Sequence, residues 1–162
     1  MRLLAISLIA AGPVLVGFHQ ASRGRQLVGQ LQALIGALDE LEREIGFGQA
    51  TLLAIFQKSE QLLLRSCAKA LGQTRPPSMS RIWSRELEHC FPLLGSAELE
   101  TAKQVGQVLG RYDTRRQCQA LEQAREFLTL AERALREEAQ RSGRVNRMLG
   151  MAAGALLFII LI

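Results

Sequence analysis

Residues 26–45 read QLVGQLQALIGALDELEREI, and this stretch decides the fold class. Leu27, Leu31, Leu34, Ile35, Leu38, Leu41 and Ile45 fall at steps of three and four, which draws one apolar stripe along an α-helix. Asp39, Glu40, Glu42 and Glu44 take the opposite face. Gly46-Phe47-Gly48 ends the helix, because glycine readily takes the left-handed conformation that closes helices. Ile45 and Phe47 in this turn are both expected in the core. Only Gly24 interrupts the chain between Phe18 and Gln26, so the helix is expected to run on from the apolar segment before it.

Downstream the same period recurs. A helix is expected over residues 51–71, capped by Thr51 and carrying Leu52, Ile55, Phe56, Leu62, Leu63 and Cys67 inward. Residues 72–78, with Pro76 and Pro77, read as a loop. A short helix follows through Trp83, Leu87 and Cys90, and Pro92 and Gly95 interrupt again. Ser96 is the expected cap of a helix carrying Leu99, Ala102, Val105, Val108 and Leu109, with Glu98 and Glu100 in the first turn, where the helix dipole favours them. Gly110 closes it, and Asp113 or Thr114 caps a last long helix to about Arg141. Strand alternation appears nowhere. The expected fold class is all-α: a bundle of about five helices whose first and last continue into the membrane.

The two ends carry the membrane reading. Leu3 to Phe18 holds one serine and no charge, and Leu149 to Ile162 has no polar side chain. A spanning helix needs roughly 20 apolar residues for a core of about 30 Å. The first run reaches that length with Arg2, His19 and Gln20 at the interfaces. The second does so if Val145 to Met148 are helical and Arg147 snorkels to the headgroups; a shallow anchor is the alternative. The expected division is a transmembrane helix over 1–22, a helical domain over 23–144 and a second transmembrane helix over 145–162. A signal peptide is the rival for residues 1–21, opposed by Pro13 within the run, by the lack of a clean cleavage site and by Arg23 and Arg25 directly after it. Gly150 and Gly154 have the small-xxx-small spacing that lets membrane helices approach closely. They serve either packing within the chain or self-association.

The charges locate the domain. The net charge is +5. Residues 26–142 hold 15 basic and 15 acidic side chains and are neutral, so the surplus is Arg2, Arg23, Arg25, Arg144 and Arg147, each flanking an apolar run. Basic residues beside membrane segments mark the cytoplasmic side, which puts the central domain in the cytoplasm and both termini across the membrane. Arg2 argues weakly the other way. Arginines so placed do not form a phosphate-binding surface, so no nucleic-acid partner is expected.

Catalytic signals are absent from the sequence. There is no GxxxxGK[ST] cradle and no GxGxxG after a strand. His19 and His89 are the two histidines, and His89 beside Cys90 lacks ligand spacing. Cys67, Cys90 and Cys118 are too few and too scattered for a disulfide framework and read as buried apolar residues. The expectation is no enzyme, no metal, no cofactor and no small-molecule substrate. The remaining candidate site is Arg111, Tyr112, Asp113, Arg115 and Arg116 at one helix–helix corner, residue types favoured at interface hot spots. The competing account is that Gly110 and Asp113 are there for the turn alone.

Several spacings together resemble the stage III sporulation protein AB family of endospore-forming bacteria. Gly17-Phe18 close the first apolar run. Leu41-Glu42-Arg43-Glu44-Ile45-Gly46-Phe47-Gly48 matches a Leu-Glu-x-Glu-Ile-x-aromatic-Gly pattern. Trp83 lies mid-chain, Gly106 to Asp113 matches Gly-x-x-Leu-Gly-x-x-Asp with Gln117 after it, and Leu149-Gly150 and Gly154 open the last segment. The family's Thr-Pro-Leu after the first pattern is Ala50-Thr51-Leu52 here, which removes a proline suited to a helix start. The resemblance implies a soluble domain similar to the cytoplasmic domain of type II secretion F-type platform proteins. It implies a non-enzymatic scaffold in the channel complex joining mother cell and forespore, in the outer forespore membrane. Its partners would be other stage III sporulation channel proteins, including the cytoplasmic AA ATPase. The alternative is a membrane-anchored regulator that binds a cytoplasmic enzyme without joining a channel. A secreted helical protein, cleaved after its first run, is a third reading.

Overall fold

In a computed structural model of the chain, the backbone is described for residues 2–48, 50–73 and 78–161, and the side chains for 23–48, 50–73 and 78–141. Six helices are present among the described residues: α1 (Arg2–Phe47), α2 (Leu52–Lys58), α3 (Leu62–Gln73), α4 (Met79–Cys90), α5 (Ser96–Val108) and α6 (Thr114–Leu161). No strand appears among them. The chain divides into two units, one of residues 26–132, the other formed by the two chain ends. In the second unit the backbone is helical at both ends. The expected membrane segments 1–22 and 145–162, with Gly150 and Gly154, lie outside the residues whose side chains are described. Among the described residues no helix is long and apolar enough to cross a membrane.

The 26–132 unit is built on the stripe of α1. Leu31, Leu34, Leu38 and Leu41 are fully buried and Ile45 nearly so. Each such leucine contributes about 1.5–3 kcal/mol by leaving water. From α6, Leu121, Ala124 and Leu128 are buried. These two helices are antiparallel. Near one end Gln32 Nε2 donates to Glu132 Oε1 at 3.1 Å, and near the other the Cys118 thiol donates to the Glu42 carbonyl at 3.8 Å. Between them Arg125 Nε donates to Glu42 Oε2 at 3.2 Å, and Arg125 Nη1 lies 3.7 Å from Asp39 Oδ1. Asp39 also holds Arg43 at 2.6 Å, one turn along α1. The acidic face read from the sequence is therefore partly an α1–α6 seam.

Helices α2 to α5 supply the rest of the core, with Phe56, Leu63, Leu64, Cys67, Trp83, Leu87, Ala102 and Leu109 buried to 2% exposure or less. Trp83 crosses from α4 onto α5. Its Nε1 donates to the Ala102 carbonyl at 2.7 Å, and its ring occupies the space where Gly106 has no β-carbon. Lys103 adds a surface tie, 2.9 Å from Glu88 on α4 and 3.1 Å from Glu100 on its own helix; these two bonds raise its pKa.

Three local expectations need correction. The helix expected over 51–71 is two helices, because Ser59 takes extended backbone (φ −67°, ψ 144°) and its hydroxyl accepts the Gln61 N–H at 3.0 Å. Serine side chains compete for backbone N–H groups in this way and break helices where packing allows. The break shifts the register: Leu62, expected inward, is exposed, and Leu64 is buried instead. At α5 the cap position is Gly95, and Ser96 is the first helical residue. Phe47, expected in the core, is 77% exposed. It lies two residues past Ile45, about 200° around the helix from the stripe at roughly 100° per residue.

Candidate interaction site at the α5–α6 corner

The candidate residues Arg111, Tyr112, Asp113, Arg115 and Arg116 stand where α5 turns into α6. Helix α5 stops because Gly110 is left-handed (φ +71°), a conformation that costs other residues. The Arg111 N–H closes the turn onto the Val108 carbonyl at 3.2 Å. Gln117 then latches the corner from the first turn of α6. Its Oε1 accepts the Gly110 N–H at 3.0 Å, and its Nε2 donates to the Tyr112 carbonyl at 2.7 Å. Asp113 is the N-cap: its Oδ1 accepts the Arg116 N–H at 3.3 Å, and its carbonyl accepts the Gln117 N–H at 3.1 Å. Leu109 beneath is buried and anchors the turn to the core.

The five residues come together but do different work. The Asp113 carboxylate is spent on the helix start. The Arg116 guanidinium lies over the Tyr112 ring, 4.4 Å from its centroid. Arg111, Arg115 and Arg116 are exposed, and among the described residues no carboxylate pairs with any of them. The first turn of α6 contains no acidic residue, so Arg115 and Arg116 face the positive end of the helix dipole, the less stable placement. The Gln117 latch was not assigned from the sequence. The signal for it was its place just after the Gly-x-x-Leu-Gly-x-x-Asp pattern.

An open groove of about 390 Å³ runs along α1, lined among others by Gly29, Ala33, Ala37, Leu62 and Phe91. Gln30 at its wall accepts the Leu93 N–H at 3.0 Å. The thiols sit in protonated settings. Burial, helped by nearby Glu86 and Cys90, pushes Cys67 up to about 12, and burial also raises Cys90 and Cys118. Among the described residues no three His, Cys, Asp or Glu side chains are grouped to hold a metal.

Fold and corner together define an all-helical module whose polar side chains hold turns and helix pairs, while the arginines of the corner stand on the surface. The chain matches the family model for stage III sporulation protein AB over residues 2–162, and it belongs to that family. It is 24% identical to the stage III sporulation protein AB of Bacillus subtilis (strain 168) over 169 residues, covering 99% of each chain. It also superposes on a solved structure of stage III sporulation protein AB with a TM-score of 0.58 and 26% identity, over 70% of this chain and 94% of that one.

Proposed function

We propose that this stage III sporulation protein is a non-enzymatic membrane platform subunit of the mother cell–forespore channel complex. In this reading the 23–144 domain faces the cytoplasm and docks the AA ATPase through the α5–α6 corner. The observation that carries the reading is the corner itself. Three exposed arginines that meet no carboxylate among the described residues, and a half-exposed tyrosine, stand at a turn whose backbone is held by Gln117 and Asp113. A surface fixed before binding loses little entropy when it docks, and Arg and Tyr are the residue types that dominate interface energies. The charge distribution supports the topology, since Arg23, Arg25, Arg144 and Arg147 all lie on the domain side of the apolar runs.

Two measurements test it. In a background with Cys67, Cys90 and Cys118 replaced by alanine, Gln73→Cys and Ser78→Cys should resist a membrane-impermeant thiol reagent in intact cells, while cysteines at the chain ends are labelled. Labelling at 73 and 78 would put the domain outside and end the ATPase reading. The full-length chain should also co-purify with the AA ATPase, and Arg111→Glu/Arg115→Glu/Arg116→Glu should reduce recovery at least tenfold. A one-to-one complex with a different cytoplasmic enzyme, and no channel proteins, would identify a membrane-anchored regulator instead.

A further inference from the structure

We infer that the docking surface is larger than the arginine corner: it is an apolar-and-basic end face, with Phe47 as its anchor, and its occupant is an acidic protein segment carrying an apolar side chain. The inference rests on the docking reading above but not on the identity of the ATPase.

Three elements meet at this end. The bond from Cys118 to the Glu42 carbonyl sets the level of α6 against α1. From Glu42 to Phe47, α1 advances five residues, about 7.5 Å, and from Cys118 back to Thr114 α6 advances four, about 6 Å, in the same direction. The last residue of α1 and the first turn of α6 therefore end together. Helix α2 starts against the corner, since a β-carbon on Gly110 would stand 3.0 Å from Leu52 Cδ1. Each element offers one exposed apolar side chain: Phe47 from α1 at 77%, Leu53 from α2 at 42% and Tyr112 from the corner at 46%. Phe47 lies at the end of the helix that carries the buried Leu31 to Ile45 stripe, next to Gly48 (φ +65°), whose N–H bonds the Ile45 carbonyl at 3.0 Å. An aromatic ring so exposed, on so firm a base, is an unfilled contact.

Charge selects the occupant. Of the acids toward this end, Asp39 and Glu42 are held by Arg43 and Arg125, and Asp113 caps its own helix. Glu40 and Glu44 are left against Arg111, Arg115 and Arg116. A partner meeting this face buries apolar surface at Phe47 and Leu53 and must bring carboxylates to the arginines, since like charge there is repelled. The other exposed apolar pair, Phe127 and Leu130 on α6, has Glu126 and Glu132 among its near neighbours along with Arg125 and Arg133, so its charges balance, which makes it the internal control.

The test is photo-crosslinking of the full-length chain in sporulating cells, with p-benzoylphenylalanine placed at Phe47, Leu53 or Tyr112, and at Phe127 as control. The crosslinked peptide is read by mass spectrometry. The expected result is one partner segment, rich in Asp and Glu and containing an apolar residue, captured from 47 and 53 but not from 127. Capture should fall at least tenfold with Arg111→Glu/Arg115→Glu. Crosslinking to a second copy of this chain, or to a segment without acidic residues, would overturn the inference. So would silence at 47, 53 and 112 while the ATPase still co-purifies, which leaves the platform reading intact. An acidic segment belonging to another channel protein would leave the inference standing and remove the ATPase from the docking reading. Silence together with loss of co-purification sinks both.

Discussion

Trp83 and Gly106 are in direct contact: a β-carbon on Gly106 would stand 2.5 Å from Trp83 Cδ1, 2.8 Å from Cγ and 2.9 Å from Cβ. The close approach brings the indole N–H onto the Ala102 carbonyl one turn earlier. The glycine of the family pattern is thus a place where two helices touch. Because the nearest atoms belong to a buried ring, they cannot swing aside. Gly106→Ala should cost about 1–3 kcal/mol, as overpacking in a filled core does. Trp83→Phe, which removes the indole donor and leaves part of a filled core empty while the Ala102 carbonyl keeps its bond within the helix, should cost about 1–3 kcal/mol. Urea unfolding of the two single variants and the double should show non-additivity, since the residues share one contact.

The corner latch makes a second prediction. Gln117→Leu strands the Gly110 N–H and the Tyr112 carbonyl. The loss should be about 1–2 kcal/mol, the lower side of the usual range because the site is exposed to water. Hydrogen exchange should speed up at Gly110 and Arg116 and leave Leu31 to Leu41 unchanged. Uniform acceleration would mean that the corner has no local role.

Arg115 separates stability from contact. In the first turn of α6 an arginine opposes the helix dipole, so Arg115→Glu should raise stability by about 0.3–1 kcal/mol at low salt. The same change should weaken partner capture. A variant that melts higher and binds worse marks a side chain kept for its surface; one that loses both marks a structural residue.

The α1–α6 seam should be weak by comparison. Arg125 is about a third exposed, so breaking its pairs with Glu42 and Asp39 by Arg125→Gln should cost no more than about 1 kcal/mol. The cost should shrink in 0.5 M salt, where the screening length falls to about 4 Å.

Cys67 links pH to folding. Its thiol is pushed to about 12 in the folded chain from an ordinary 9.0. Above pH 9 the unfolded state has released the proton that the folded state keeps, so stability falls as pH rises through that range. Measured from pH 8 to 10.5, the wild type should lose more stability than Cys67→Ala. Below pH 8 the buried thiol should resist alkylation until the protein is unfolded.

Much of the helical layout was legible in the residues. The α1 stripe, the Thr51 cap, the left-handed glycines at 48 and 110 and the Asp113 cap all depend on neighbours within four positions, which sequence spacing reports directly. The outward Phe47 was misjudged: aromatic character pointed it inward, while its angle off the stripe turns it to the surface. The break at Ser59 was not legible, because Thr51 to Leu71 keeps helical period on either side and the hydroxyl's choice of the Gln61 N–H depends on how α2 and α3 pack.

By itself, then, the sequence determined an all-helical chain of this family, a neutral domain between arginine-flanked apolar runs, and where most helices begin and end. The tertiary structure decided which distant residues meet: Trp83 with Gly106, Glu42 with Arg125, Gln32 with Glu132, and Phe47 level with the arginine corner. Helix periodicity fixes the face on which a side chain stands. It leaves open how far one helix slides along another, and packing of the whole core sets that register.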